Sequence, residues 1–260
     1  MDQSLTRLSH SFPPDYEFNN KYLAQVHSTL KEHSIDIDVK RIYYRPVQNE
    51  KELEEMKLLH REWFPPNYPD EFYQEVLKNR VYRSLLAVYD LKGRYNKKTL
   101  ILGCITYEFK PVNYDIVNFS LSDLFVDRYS IYILTFGVIN EVRNKGVGSL
   151  LLKQLIQIGR EYSVIKCIGL DVVSYNDQAI KCYEKNGFIK VKTKKDYYEI
   201  FEKNYDAIVF CYYINGGRAP KQIKQMLLTS VSSLRLPCDF CKKRNRKLDE
   251  EIMKRQKHVE

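Results

Sequence analysis

Tyr132-Ile-Leu-Thr-Phe-Gly-Val138 opens the most informative part of this sequence, and Asn140-Glu-Val-Arg-Asn-Lys-Gly-Val-Gly-Ser149 and Leu150-Leu-Leu-Lys-Gln-Leu-Ile-Gln-Ile158 follow it. The first segment is rich in β-branched and aromatic residues, which predicts a strand. In the third segment, apolar side chains recur with the spacing of one helix face, at Leu151, Leu155, Ile158 and Tyr162. The sequence therefore predicts a strand, a glycine-containing loop and a helix in direct succession.

The loop between strand and helix contains Arg143-x-x-Gly146-x-Gly148. Glycines let the backbone approach a ligand closely, and the helix that follows presents unpaired N–H groups, which suits a phosphate or pyrophosphate. Arg143 or Lys145 can add charge-assisted contacts. A P-loop would carry Gly-Lys-Ser or Gly-Lys-Thr at this point, and a dinucleotide site would carry a third glycine. Both features are missing here.

A second segment further along the chain narrows the interpretation. It consists of a predicted strand, Ile168-Gly-Leu-Asp-Val-Val173, followed by Asn176-x-x-Ala179-x-x-x-Tyr183-Glu184-x-x-Gly187-Phe188. In this order and spacing, the two segments resemble the acetyl-CoA site of the GCN5-related N-acetyltransferase (GNAT) superfamily. The resemblance implies an α/β fold with a mixed, mostly antiparallel central sheet that is splayed at the acetyl-CoA strand and flanked by helices.

Length and composition agree with one catalytic domain carrying flanking extensions. The chain has 260 residues, of which 44% are hydrophobic, enough for one sizeable core. The formal net charge of +9 suits an anionic cofactor, membrane or nucleic acid and selects none of them. The N-terminal residues lack the apolar region of a signal peptide, and no apolar run is long enough to span a bilayer, so we expect a cytosol-facing protein. Four scattered cysteines are expected to be reduced core residues: Cys104, Cys167, Cys182 and Cys211.

The chain divides into three predicted parts. Residues 1–38 form a polar extension, residues 39–217 the catalytic domain, and residues 218–260 an amphipathic and basic tail. Within the domain we predict a helix at Glu52–Trp63 and strands at Arg41–Tyr44, Ser84–Tyr89, Leu100–Phe109, Ile116–Val126, Val191–Ile200 and Asp206–Ile214.

A proline-rich segment, Phe64-Pro-Pro-Asn-Tyr-Pro-Asp70, follows the first predicted helix. Three prolines in this segment forbid a helix and favour an extended, rigid loop. Two interpretations stay open: the aromatic residues form a wall for a bound peptide, or the segment connects two helices and its aromatics fill the core.

Several strings resemble a narrower family, the catalytic subunits of N-terminal acetyltransferase F. They are Trp63-Phe-Pro-x-x-Tyr-Pro-Asp70, Tyr132-Ile-Leu134, Arg143-Asn-Lys-Gly-Val-Gly-Ser-Leu-Leu-Leu152, Tyr197-Tyr198 and Tyr213-Ile-Asn-Gly-Gly217. The likeness covers residues 41–220. It implies transfer of acetyl from acetyl-CoA to protein N-termini, without a metal, on the cytosolic side of the Golgi membrane.

The resemblance also assigns roles to individual residues. It implies that Phe136, Gly137 and Val138 hold the pantetheine arm, and that Asn176 and Tyr183 face the cofactor near its thioester. The pyrophosphate would be held by Arg143, Asn144, Lys145, Gly146, Val147, Gly148 and Ser149. The acceptor groove would be lined by Phe64, Asn67, Tyr68, Leu134, Tyr197 and Tyr198.

The implied catalytic residues include one departure from the family. Tyr132 matches a catalytic tyrosine, whereas Asp171 stands where the family has a histidine. We expect Asp171, desolvated between splayed strands, to act as the base or to relay the proton through water with Tyr132. The alternative is that Asp171 is a structural carboxylate and Tyr132 a core tyrosine. Tyr183 would donate a proton to the departing thiolate, and backbone N–H groups would polarise the carbonyl.

Further observations limit which residue could act as the catalytic base. Asn67 stands where the family has a glutamate. The five histidines lie at positions 10, 27, 33, 60 and 258, outside the motifs, so a histidine base requires His60 or a terminal segment to reach the site. An α-amine with a pKa of about 8 needs only about 1.4 kcal/mol to lose its proton at pH 7, and a lysine needs roughly three times more. An N-terminus therefore requires only a modest base.

The tail has a separate character. Apolar residues fall on one helical face, and Leu236-Pro-Cys-Asp-Phe-Cys241 and the basic run Lys242-Lys-Arg-Asn-Arg-Lys247 follow. This pattern suits an anionic membrane surface, and equally a helix packed on the domain followed by a solvated tail. Cys238-x-x-Cys241 has no second pair, which argues against zinc. Nucleic acid is not an expected partner.

Taken together, the residues and the resemblance predict an N-terminal α-amino acetyltransferase that works by direct attack of the amine. A retained initiator methionine followed by Lys, Leu or a similar residue is the predicted acceptor. One alternative is a lysine acetyltransferase of the histone type. The other is an acyl-CoA-binding protein with impaired catalysis, because two family residues are replaced.

Overall fold

The computed structural model describes residues 37–64, 68–91, 99–113, 115–117, 128–200 and 202–220. These residues form one sheet with helices packed against it. The strands are β1 (Ile42–Arg45), β2 (Tyr82–Asp90), β3 (Thr99–Pro111), β4 (Tyr129–Val138), β5 (Ile165–Val173), β6 (Ile189–Ile200) and β7 (Lys203–Tyr213). The helices are α1 (Glu50–Trp63), α2 (Asp70–Lys78), α3 (Val147–Glu161) and α4 (Asp177–Lys185).

The sheet has seven strands in the order β1-β2-β3-β4-β5-β7-β6. Only β4 and β5 pair in parallel, and α3 connects them; every other neighbouring pair is antiparallel. A parallel pair needs a crossover of this kind, whereas the antiparallel pairs can be joined by short connections. The predicted fold, a mixed and mostly antiparallel sheet flanked by helices, is confirmed.

The parallel pair β4–β5 is hydrogen-bonded only at its beginning. Pairing runs from Tyr129 opposite Ile165 to Tyr132 opposite Gly169. Beyond this point β4 stays paired with β3, and β5 stays paired with β7, so the two strands separate from each other. The second half of β4 therefore presents an unpaired backbone edge towards β5, as the predicted splay requires.

A bulge accompanies this separation. In the pairing of β3 with β4, Thr106 lies opposite Thr135 and Tyr107 opposite Ile133, so Leu134 is an extra residue without an opposite partner. A bulge of this kind turns side chains and bends the strand. The bulge therefore changes the direction of the Leu134 side chain at the point where β4 leaves β5.

The other end of β4 and β5 is closed by the Tyr213-Ile-Asn-Gly-Gly217 string. The side-chain amide of Asn215 donates to the carbonyl oxygens of Gly159, Tyr162 and Ile165 at 3.1, 2.8 and 2.9 Å. Gly217 is required because a Cβ there would lie 2.0 Å from the carbonyl oxygen of Lys166. This string, the most specific one of the family resemblance, ties the end of α3 to the start of β5.

The remaining differences concern the flanking elements. No sequence pattern predicted α2, although Phe72, Tyr73 and Val76 bury one of its faces. The predicted strand at Ile116–Val126 is wrong at its start, since the N–H of Ile116 donates to the carbonyl of Asn113 in a turn. Residues 118–127 lie outside the described residues, as do the extension to residue 36 and the tail from residue 221. The four cysteines predicted to be reduced, at 104, 167, 182 and 211, are free thiols.

Candidate active site

The separation of β4 from β5 opens a cavity of about 790 Å³. Its walls are the second half of β4, the loop before α3, the start of α3, the middle of β5, and one face of α4, with the end of α1 at one side. Ligand sites typically enclose about 300–1,000 Å³, so this cavity can hold a large small-molecule ligand.

One end of the cavity is built from backbone. Gly146 adopts a φ of +89° at the N-cap of α3, and Asn144 adopts a φ of +60° in the turn before it. Within the described part of the chain, no side chain caps α3, so its first N–H groups and the positive end of its dipole face the cavity. Gly148 leaves space at this surface, because a Cβ at position 148 would lie 3.1 Å from the Phe136 ring. The geometry is that of an anion site.

The predicted pyrophosphate residues mostly converge here. All of them except Lys145 line the cavity, and Lys145 is exposed in the same turn. The guanidinium of Arg143 donates from Nε to the carbonyl of Val138 at 3.2 Å, which holds the turn against the end of β4. The hydroxyl of Ser149 accepts from the Asn186 amide at 3.0 Å, which ties α3 to the residue after α4.

Trp63 packs against β4 at Gly137. A Cβ at Gly137 would lie 2.0 Å from Cε3 of Trp63, so only glycine allows the indole to pack against this strand. Phe136, Gly137 and Val138 all line the cavity. Their backbone is available for an extended ligand arm, because β4 has no partner strand on that side beyond Tyr132.

The helix α4 supplies the opposite wall. Asn176 caps it, its side-chain oxygen accepting from the N–H of Ala179 at 3.1 Å, and the residue also lines the cavity. Tyr183 lines the cavity as well, with its ring 5.9 Å from the rings of both Phe136 and Phe210. Burial raises the pKa of Tyr183 well above its ordinary value, so the phenol stays protonated at neutral pH.

The point where β4 and β5 diverge carries a hydrogen-bonded cluster. The hydroxyl of Tyr132 donates to Oδ2 of Asp171 at 2.9 Å, and Nζ of Lys194 lies 2.5 Å from the same oxygen. The Asp171 side chain is 2% exposed and that of Lys194 is 32% exposed. Burial, and then the neighbouring Asp171 carboxylate, raises the pKa of Tyr132. The predicted pair of Tyr132 and Asp171 is thus in direct contact.

Residues 53–188 match the model of the acetyltransferase (GNAT) family. The chain belongs to this family. It is 31% identical over 183 residues to the protein named Histone acetyltransferase MCC1 of Arabidopsis thaliana, covering 69% of this chain and 72% of the relative. It is also 31% identical over 188 residues to N-alpha-acetyltransferase 60 of Xenopus tropicalis, covering 70% of this chain and 74% of the relative.

Among solved structures, this GNAT domain is similar to NAA60 of Arabidopsis thaliana in complex with acetyl-CoA. The TM-score is 0.61 and the sequence identity 27%, with 67% of this chain and 99% of that chain covered. The fold and the family predicted from the sequence are therefore confirmed.

The residues of this GNAT domain that were predicted to line the acceptor groove lie in different environments. Phe64 and Leu134 line the cavity. Tyr68 is buried among aromatic rings, stacked on Phe72 at 4.7 Å between centroids. Tyr197 is half-buried, and Tyr198 presents no accessible surface and packs in a core cluster with Val173, Ile200 and Ala207. Asn67 lies outside the described residues.

His60 of the GNAT domain is a core residue. It is 1% exposed, and its ring nitrogens lie 3.3 Å from the hydroxyls of Tyr73 and Thr135 and 3.4 Å from the thiol of Cys104. Burial lowers its pKa to about 3. Because His60 lies behind β4 and outside the cavity lining, it does not supply the base.

Two lysines beside the site had not been identified from the sequence. Lys194 reaches Asp171, and Nζ of Lys110 lies 4.1 Å from the centroid of the Tyr132 ring. The only sequence signal for Lys194 is its membership of a lysine-rich strand, which does not say which lysine points at the site. In the described part of the chain, no group of three or more His, Cys, Asp or Glu side chains is arranged to hold a metal.

Proposed function

We propose that this GNAT enzyme transfers the acetyl group of acetyl-CoA to the α-amino group of protein N-termini. The observation that carries the proposal is the Tyr132–Asp171 pair at the point where the open edge of β4 begins. A protein relative named N-alpha-acetyltransferase 60, aligned over 74% of its length, supports this choice of acceptor. The solved relative with acetyl-CoA bound supports the choice of co-substrate.

The cavity fits acetyl-CoA in both shape and chemistry. The pyrophosphate would lie at the N-terminus of α3, on the backbone of Arg143 to Ser149. The pantetheine arm would follow the open edge of Phe136, Gly137 and Val138. Asn176 and Tyr183 would contact the part near the thioester. These assignments require mainly backbone N–H groups and a helix dipole, which suit an anionic, extended ligand.

The chemistry requires the acceptor to be a neutral amine. Its nitrogen attacks the acetyl carbonyl, the new C–N bond forms, the C–S bond breaks, and one proton leaves the amine. Tyr132 and Asp171 would take this proton, the phenol oxygen accepting it while its own proton moves to the carboxylate. Tyr183, kept protonated by burial, would donate a hydrogen bond to the thiolate as it forms, and the thiolate would take its proton from solvent as CoA leaves. No covalent enzyme intermediate and no metal is required.

The acceptor side favours an apolar first residue. Phe64 and Leu134 line this part of the cavity. Tyr197 is not among the lining residues, but its ring lies 4.2 Å from Nζ of Lys194, which contacts Asp171 of the lining. Apolar side chains of this kind suit a retained initiator methionine, since burial of its side chain is favourable by about 1.5–3 kcal/mol. We therefore propose acceptors that begin with Met-Lys, Met-Leu or similar pairs.

The test measures release of free thiol from acetyl-CoA with two kinds of peptide. One begins with free Met-Lys or Met-Leu; the matched control has the same sequence with a blocked N-terminus and an internal lysine. Turnover on the free N-terminus alone is the expected result. Turnover on the blocked lysine peptide alone would contradict the proposal.

A lysine acetyltransferase is the second candidate, and the relative named Histone acetyltransferase MCC1 favours it. The same assay separates it from the first candidate. A third possibility, an acyl-CoA-binding protein without turnover, is separated by calorimetry, since it would bind acetyl-CoA and acetylate neither peptide.

We also propose that residues 39–217 are the catalytic domain and that the tail, 218–260, brings it to the cytosolic face of the Golgi. No helix of the described residues is long and apolar enough to cross a membrane. The basic run at 242–247 supports binding to anionic lipid instead. Replacement of Lys242, Lys243 and Arg244 by glutamine should release the full chain from anionic vesicles and from a Golgi marker in cells, and unchanged binding would contradict this.

A further inference from the structure

Lys194 occupies a position that the proposed chemistry does not yet explain. It lies on β6, and β7 separates that strand from β5. Its Nζ nevertheless lies 2.5 Å from Oδ2 of Asp171. The side chain crosses β7 above Ala207, which is its opposite residue on β7 and the opposite residue of Val173 on β5. The small side chain of Ala207 leaves room for this crossing.

Lys194 and Tyr132 contact the same carboxylate oxygen of Asp171. Oδ2 accepts from Tyr132 at 2.9 Å and from Lys194, and the Asp171 side chain is 2% exposed. Hydrogen bonds to an ionised group are short and directional, so a lysine ammonium on this oxygen fixes the orientation of the carboxylate. The contact from Lys194 therefore holds Oδ2 at the place where the Tyr132 hydroxyl meets it.

Other groups of the described residues near this cluster make contacts of their own. Nζ of Lys110, on β3, lies over the Tyr132 ring, and it forms a 2.6 Å ion pair with Glu108. Tyr197, on β6, places its ring 4.2 Å from Nζ of Lys194 and orients that ammonium. From β7, the residue opposite Asp171 is the apolar Val209. Lys194 is therefore the cation whose contact with the Asp171 oxygen the geometry defines.

We propose that Lys194 is a positioning residue that holds the Asp171 carboxylate on the Tyr132 hydroxyl, so that this carboxylate can receive the proton that Tyr132 passes on from the acceptor amine. The inference rests on the proposed acetyl transfer, and it adds a requirement: the proton path of this enzyme is a unit of three side chains from β4, β5 and β6. Lys194 acts in this unit through its contact with Oδ2 of Asp171.

The experiment measures kcat and KM at one pH for the full chain and for Lys194→Met, with acetyl-CoA and a peptide that begins with Met-Lys. Without the Lys194 contact, Oδ2 of Asp171 is no longer fixed on the Tyr132 hydroxyl, whereas the walls proposed to hold acetyl-CoA are unchanged. We expect kcat to fall about tenfold or more, and KM for acetyl-CoA to stay within about twofold of the wild-type value.

Two variants serve as controls. Lys194→Arg keeps a cationic donor at this position, so it should retain most of the wild-type kcat. Lys192→Met removes a lysine from the same strand, whose Nζ pairs with Asp115 at 3.2 Å. Its kcat should match that of the wild type. Acetyl-CoA affinity, measured by calorimetry, should be unchanged in all three variants, which separates loss of the proton path from loss of the fold.

Three outcomes would overturn the inference. They are an unchanged kcat in Lys194→Met, a rise in KM for acetyl-CoA without a fall in kcat, and a loss of kcat in Lys194→Arg as large as that in Lys194→Met. Failure of the proposed function gives a different result: the wild type would then turn over only the blocked lysine peptide. The kcat values of the variants can be compared on that peptide as well.

Discussion

The two ends of the cavity are built by different means. At the end near α3, the surface is backbone, shaped by glycines and by a helix terminus. At the end where β4 leaves β5, Asp171 lines the cavity, and Tyr132 and Lys194, from two other strands, hold it from outside the lining. Tyr132 and Asp171 are separated by 39 positions in the sequence, and Asp171 and Lys194 by 23. A backbone site tolerates many side chains, whereas a side-chain cluster fails when one member is replaced.

The largest effect should come from the side-chain end. Asp171→Asn keeps the shape but removes the proton acceptor, so kcat/KM should fall by about 10²–10⁴-fold while acetyl-CoA affinity is retained. Tyr132→Phe should also reduce kcat/KM. Because both residues serve one proton path, the double variant should lose little more than Asp171→Asn alone. Losses that multiply in the double variant would mean that the two residues act independently.

This contrast also explains what the sequence could predict. The strand, the glycine loop and α3 are contiguous in the sequence, so their residues form one recognisable pattern, and in the structure nearly all of the predicted cofactor residues line one cavity. The Lys194 contact depends on the register of β6 with β7, where irregularities occur at Lys190–Lys192 and Lys194–Tyr198. Each irregularity changes which side chains face the site, so a simple alternation of residues cannot select Lys194 from its neighbours.

Two other elements escaped prediction for related reasons. The helix α2 begins directly after Pro69. Because of the prolines before it, the sequence predicted only a rigid loop here, although Asp70 and Glu71 suit a helix N-terminus. The aromatic residues Tyr68, Phe72 and Tyr73 pack around His60. Each of the two sequence interpretations of this segment applies to one aromatic residue. Tyr68 lies in a connection between two helices and packs in the core, whereas Phe64 lines the cavity.

A second test concerns the backbone end. Gly137→Ala would place a methyl group 2.0 Å from the Trp63 ring, so the indole or the strand must move. We expect a loss of about 1–3 kcal/mol in the free energy of unfolding, measured with urea, and weaker acetyl-CoA binding. Gly146→Ala is the matched control, since a Cβ there meets no atom within 4 Å and only the φ of +89° opposes it. Equal effects of the two changes would contradict a role for packing against Trp63.

The third test concerns the core behind β4. The pKa of His60 is about 3 in the folded state because of burial, compared with 6.5 for an ordinary histidine. Below pH 6.5 the unfolded chain gains a proton that the folded protein does not, so stability falls as the pH falls from 6.5 towards 3. Between pH 7 and pH 5 this group alone should remove about 2 kcal/mol. His60→Gln should remove that part of the pH dependence, and an unchanged dependence would mean that other groups cause it.

The smallest expected effect is at Asn176, where the wall of the cavity and the cap of α4 are the same side chain. Asn176→Ala removes the cap, which should lower the free energy of unfolding by about 1 kcal/mol. Asn176→Asp keeps a capping oxygen but removes the amide NH₂ group, so its stability should match the wild type. If KM for acetyl-CoA rises in both variants, the NH₂ group contacts the co-substrate directly. If it rises only in Asn176→Ala, Asn176 acts by holding α4 in place, and this wall would then depend, like the α3 end, on backbone position.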